Sequence, residues 1–158
     1  MAYPKSILIV GRFNIVRSPM AAAILKKILS DTPGLSSASI DVDSAGIRGA
    51  GGFPATRLAR EAMKEKGLVL DNHRSKQVYE DMVDYNDLII TITGEDKSDV
   101  LAKFPSGKSK VFSLNEYAGG PGDPGNPQGS SSVDAYRDTA NQVETLLKGL
   151  VQKLQKEG

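Results

Sequence analysis

Two unbroken apolar runs constrain this chain more than any other feature. Ser6-Ile7-Leu8-Ile9-Val10 and Leu88-Ile89-Ile90-Thr91-Ile92-Thr93 lack the period-two alternation of a strand with one wet face. Short runs of this kind belong to strands buried on both sides, the situation of a parallel sheet held between layers of helices. Helical spacing follows each. Ala21, Ile24, Leu25, Ile28 and Leu29 form an apolar stripe after the first run, with Ser18 suited to the N-cap and Pro19 to the first helical position. A second strand is expected over Ile40–Ser44 and a helix near Thr56–Lys66, closed by Gly67. A helix near Glu95–Lys103 and a strand at Val111-Phe112 come next. Residues 118–132 hold five glycines and three prolines and read as a long loop. From Val133 through Tyr136, Ala140, Val143, Leu146, Leu147, Leu150, Val151 and Leu154, a long amphipathic helix ends the pattern. Strands alternating with helices imply an α/β fold: three layers, doubly wound, around a four-stranded, mostly parallel sheet.

With 158 residues, no internal repeat and no shift of composition, the chain is expected to form a single domain over residues 1–158. Twenty basic residues against nineteen acidic ones leave a net charge of +1, which gives no general case for nucleic acid or an anionic membrane. Lys5, Lys108 and Lys110 are scattered and read as solvated surface. No secretion signal is evident, no segment reaches the length of a membrane span, and a cytoplasmic location is the expectation. There is no cysteine, so disulfides, thiolate metal sites and every mechanism needing a protein thiol are excluded. No metal or cofactor is expected.

In open α/β sheets, ligands sit beyond the carboxyl ends of the strands, which places Gly11-Arg12-Phe13-Asn14-Ile15-Val16-Arg17-Ser18 at the binding edge. Successive amides lead there into a helix N-terminus, a setting that attracts phosphate or sulfate, and Arg17 is placed to fork onto the anion. The loop is neither GxxxxGK[ST] nor GxGxxG, so a nucleotide is disfavoured. On residue type alone, Arg17 reads as a surface arginine paired with a carboxylate.

The run Val10-Gly11-Arg12-Phe13-Asn14-Ile15-Val16-Arg17-Ser18-Pro19-Met20-Ala21 resembles the signature of the low-molecular-weight protein tyrosine phosphatase family, V-C-x-G-N-I-C-R-S-P-x-A. The resemblance continues through Asp43-Ser44-Ala45-Gly46, Pro54-Ala55, His73-Arg74-Ser75, Asp87-Leu88-Ile89, Asp123-Pro124 and Tyr136-Arg137-Asp138. It implies that Arg17 binds the phosphoryl oxygens and that Asp123 matches the acid that protonates the leaving group. It also implies that Asn14, Ser18, Ser44 and His73 form a hydrogen-bonded scaffold for the loop, which agrees with reading the lone His73 as structural.

Departures fall where the chemistry belongs. Gly11 stands at the nucleophilic cysteine, Val16 at the second cysteine and Phe13 at the loop glycine. Ser18 is the nearest hydroxyl, but its pKa is far too high for attack without an adjacent base. Arsenate reduction on this fold needs further thiols and is excluded. Removing a thiolate also removes repulsion toward an incoming anion. No aromatic lines Arg48–Gly52 or follows Asp123-Pro124, which weakens the case for phosphotyrosine selectivity. Three readings follow. The first is a catalytically impaired relative, a pseudophosphatase that holds phosphate, sulfate or a phosphorylated ligand on loop 11–18, with Asp123 a vestigial acid. The second is a phosphatase that hydrolyses phosphomonoesters by a thiol-independent route, with Asp123 activating water. The third is a structural interaction protein whose pocket is plugged by Arg12 and by Phe13, a residue that reaches positive φ less cheaply than glycine. The protein partner is not legible in the sequence.

Overall fold

The computed structural model describes residues 3–157. Strand β1 (Ser6–Gly11) occupies an inner position of a four-stranded sheet, with β2 (Asp41–Gly46) on one side and β3 (Leu88–Thr91) on the other. Strand β4 (Val111–Ser113) lies at the far edge, giving the order β2-β1-β3-β4, and every pairing is parallel. The register pairs Gly11 with Gly46, so β1 and β2 end together. Both must open at the same edge of the sheet, and that edge receives the loops.

The apolar runs are unbroken because both faces of the sheet are covered. Ile7 and Ile9 of β1 pack with one set of helices: α1 (Arg17–Asp31), α2 (Arg57–Glu65), α5 (Leu114–Ala118) and α6 (Val133–Glu157). Leu8 and Val10 point the other way, into a core with Val83 of α3 (Glu80–Tyr85), Val100 of α4 (Gly94–Lys103) and Phe104. Alternate side chains of one strand thus feed two separate cores. The expected α/β, three-layer, doubly wound sheet is present, and it is wholly parallel. Among the described residues, no helix is long and apolar enough to cross a membrane.

Several boundaries differ from the sequence expectations. Helix α1 begins at Arg17 after Val16, and no side chain caps it. Ser18 and Pro19 therefore lie inside the first turn. The Ser18 hydroxyl that was expected to cap the helix instead accepts a hydrogen bond from Asn14. Strand β2 runs from Asp41 to Gly46 rather than from Ile40 to Ser44. Strand β3 stops at Thr91, and Thr93 caps α4 by accepting from the Asp96 amide at 3.0 Å. Helix α5 was not expected at all. It is closed at its start by a capping box between Ser113 and Glu116 and at its end by Gly119 at φ 69°.

Leu147 of α6 is fully buried against the sheet. Truncation to alanine is expected to cost about 2–5 kcal/mol. Urea unfolding should show a lower midpoint with an unchanged slope; an unshifted midpoint would contradict the core assignment.

Candidate oxyanion site

Residues 11–18 leave the end of β1 and are tied down from outside through their carbonyls. Those of Gly11 and Arg12 accept from the Ile47 and Arg48 amides at 2.9 and 2.7 Å, and that of Ile15 accepts from Thr56 at 3.0 Å. Gly46 allows the approach: a Cβ there would lie 2.9 Å from the Arg12 carbonyl oxygen. With its carbonyls committed outward, the loop retains its amides. Among the described residues, the backbone N–H groups of residues 12–17 find no acceptor.

Asn14 organises the turn. Its φ of 64° is left-handed, a conformation asparagine tolerates better than most residues. Its side-chain amide donates to Ser18 Oγ and Ser44 Oγ, both at 2.9 Å, and its Oδ1 accepts from the Lys76 amide at 3.1 Å. His73 Nε2 lies 2.7 Å from the Asn14 carbonyl oxygen, so this nitrogen carries the hydrogen and donates it. Burial pushes the His73 pKa below its ordinary value against the opposing pull of that carbonyl; the Lys76 and Arg74 charges also lower it, and the Asp43 charge raises it. With Nε2 committed to that carbonyl, the imidazole serves as a scaffold donor. The four residues expected to form the scaffold, Asn14, Ser18, Ser44 and His73, are in one place.

Arg17 is half-buried at the start of α1, and its Nη1 donates to the Pro124 carbonyl at 3.0 Å. Burial lowers its pKa, while the charges of Asp96 and Asp123 raise it. Asp123 is exposed, and its Oδ2 accepts from the amide of Gly94, the first residue of α4, at 3.1 Å. Two anchors thus draw residues 123–128 over the loop. The remaining space, about 40 Å³, is bounded by residues 11–18 together with Asn126 and Gln128. At about 10–15 Å³ for each water, it has the scale of one small oxyanion.

Gly11 is buried, and a Cβ placed on it would meet Ser18 Oγ at 3.0 Å. Among the described residues, no carboxylate or imidazole hydrogen-bonds that hydroxyl, so none of them activates it for attack. Val16 is buried, and Ile15 is half-buried beside it. Arg12 lies 3.6 Å from Glu95 Oε1, with its guanidinium 5.8 Å from the centre of the Phe13 ring, and Phe13 is 41% exposed. Both side chains therefore lie at the rim rather than buried in the loop. The left-handed φ feared for Phe13 falls on Asn14 instead.

Sequence reasoning missed Asp96, Asn126 and Gln128. Asp96 is 3% exposed, and its Oδ2 has no partner among the described residues. Burial raises its pKa against hydrogen bonding from Thr93 and the Arg17 charge. In the sequence it looks like an ordinary acid in a helix's first turn; only the pairing of β1 with β3 brings it beside Arg17.

Comparison with known proteins gives consistent findings. The family model described as low molecular weight phosphotyrosine protein phosphatase matches residues 6–158. A protein-arginine-phosphatase of Geobacillus stearothermophilus is 36% identical over 155 residues, covering 98% of this chain and 99% of the relative. The solved YwlE arginine phosphatase of that organism superposes with a TM-score of 0.85 at 35% identity, covering 98% of this chain and 95% of that one. A probable low molecular weight protein-tyrosine-phosphatase, EpsP of Ralstonia solanacearum, is 40% identical over 112 residues, covering 71% of this chain and 72% of the relative. Wzb of Vibrio vulnificus, solved in complex with benzylphosphonate, matches at 25% identity with a TM-score of 0.82, covering 94% of this chain and 97% of that one.

Replacing Asn14 by alanine removes three hydrogen bonds and places a less tolerant residue at positive φ. The expected destabilisation is about 2–4 kcal/mol, read from chemical unfolding; a change below about 0.5 kcal/mol would show that the scaffold contributes little.

Proposed function

This chain belongs to the low molecular weight phosphotyrosine protein phosphatase family, and from that premise we propose that it binds phosphate or a phosphorylated protein side chain on loop 11–18 without turning it over. The observation that carries this reading is a loop whose N–H groups, among the described residues, find no acceptor, beside an arginine and with glycine where the family's nucleophile is expected. Residues 12–17 keep their amides free, Arg17 stands beside them, and Gly11 occupies the position of the attacking thiolate. A run of free N–H groups leading into a helix attracts an anion through partial positive charge, and a guanidinium adds charge-assisted hydrogen bonds.

The chemistry that this family performs through a thiolate has no route through these side chains. Among the described residues Ser18 has no base as a hydrogen-bond partner, and the Asn14 amide occupies one of its lone pairs. Asp123 turns its Oδ2 to the Gly94 amide at 3.1 Å, away from the loop. Without a covalent intermediate, a single difficult displacement has to replace two easier ones. Loss of the thiolate also takes a negative charge from the floor of the site and favours resting anion binding.

Arginine and tyrosine phosphatases among the relatives support a phosphorylated protein side chain as the ligand class. The benzylphosphonate complex of Wzb supports an oxyanion as the group recognised.

Calorimetric titration with inorganic phosphate, beside a p-nitrophenyl phosphate assay, tests the proposal. Binding is expected, weakened about 10–100-fold in Arg17→Ala, with no hydrolysis above background. Turnover that disappears in Asp123→Ala would overturn it in favour of a thiol-independent hydrolase. Absence of both binding and turnover would overturn it in favour of a purely structural protein.

A further inference from the structure

A second depression opens directly beside the oxyanion loop. It measures about 540 Å³, and Phe13, Ile15 and Gln128 border both spaces. Its apolar wall carries two exposed rings, Phe13 at 41% and Phe53 at 57%, together with Pro54. Solvent-facing aromatics on one continuous surface mark a contact site more often than isolated ones do. One of the two exists because the chain departs from its family: Phe13 stands where the resemblance expects glycine.

The rim is charged with one sign. Arg48, Arg57 and Arg60 line the groove, and no aspartate or glutamate does. Arg57 is neutralised by Glu61 at 2.7 Å. Among the described residues, neither Arg48 nor Arg60 forms a salt bridge. Two uncompensated guanidinium groups above an apolar wall complement a ligand with an apolar side chain and carboxylates close together.

We infer that this groove docks an acidic phosphopeptide, holding an apolar residue against Phe13 and Phe53 and carboxylates against Arg48 and Arg60, while the phosphoryl group enters loop 11–18. The inference rests on the oxyanion reading of the loop and adds the sequence context that the ligand must supply. Charge complementarity of this kind acts over short range and is screened by salt.

Fluorescence anisotropy tests it, using labelled phosphotyrosine peptides in which an apolar residue is flanked by glutamates or by glutamines, and a parallel phosphoarginine pair. The glutamate peptide is expected to bind about tenfold tighter at low salt in at least one pair. That ratio should approach one in 0.5 M salt and in an Arg48→Glu, Arg60→Glu double variant, and Phe53→Ala should weaken both members of the pair. Equal affinity of glutamate and glutamine peptides, a preference that survives charge reversal, or displacement by single-stranded RNA as effective as by the acidic peptide would each overturn the docking site. Inorganic phosphate and Arg17→Ala read the loop separately. A glutamate preference that persists at full affinity in Arg17→Ala would overturn joint recognition by way of the loop, whereas an Arg17-dependent interaction without glutamate preference would overturn the groove alone.

Discussion

Asn14 holds the whole binding edge together. One buried side chain, on a residue in left-handed conformation, joins the loop to α1 through Ser18, to β2 through Ser44 and to the segment after His73 through the Lys76 amide. The His73 imidazole adds a fourth tie through the Asn14 carbonyl. Because these bonds fix the turn from within, the loop need not use its own N–H groups to hold its shape. Among the described residues those groups find no acceptor, and under the proposed reading such preorganisation means that an anion would order little that was previously free.

The fold was legible where side-chain periodicity reports burial directly. The unbroken runs at Ile7–Val10 and Leu88–Ile92 and the long stripe of α6 followed from which faces are covered. Legibility failed where a polar residue had two good uses. Ser18 followed by Pro19 looks like a helix cap, yet its hydroxyl serves Asn14, whose amide also reaches Ser44, 30 residues from Asn14 in sequence. The capping box of Ser113 and Glu116 was present in the sequence, but a helix as short as α5 leaves almost no periodic signal. Asp96 was invisible because its burial depends on strand order and not on its neighbours in the chain.

The scaffold residues and Arg17 could be named through family resemblance alone; spacing by itself would have left Arg17 a surface arginine. What resemblance could not supply was the placement of the departures. Arg12 and Phe13 turn to the rim, and there an apolar wall meets Arg48 and Arg60, which form no salt bridge among the described residues. The segment carrying Asp123 is drawn over the loop by Arg17 and by the N-terminus of α4, which narrows the cavity to the scale of one anion. The glycine at position 11 and the hydrogen-bonded scaffold of Asn14 are thus separate features of the same few residues.

A single thiol in this cysteine-free chain can report on the cradle without interference. In Gly11→Cys, the new Cβ lies 3.0 Å from Ser18 Oγ, so the hydroxyl must yield by a few tenths of an ångström. Burial alone would push such a thiol above its ordinary pKa of about 8.5, whereas a cradle of amides beside a guanidinium would pull it well below. The two effects have opposite signs, so the pH dependence of iodoacetamide alkylation, followed by mass spectrometry, separates them. An anion cradle requires an apparent pKa clearly under about 8.5, with alkylation slowed by phosphate; a value at or above it, unaffected by phosphate, would contradict the account.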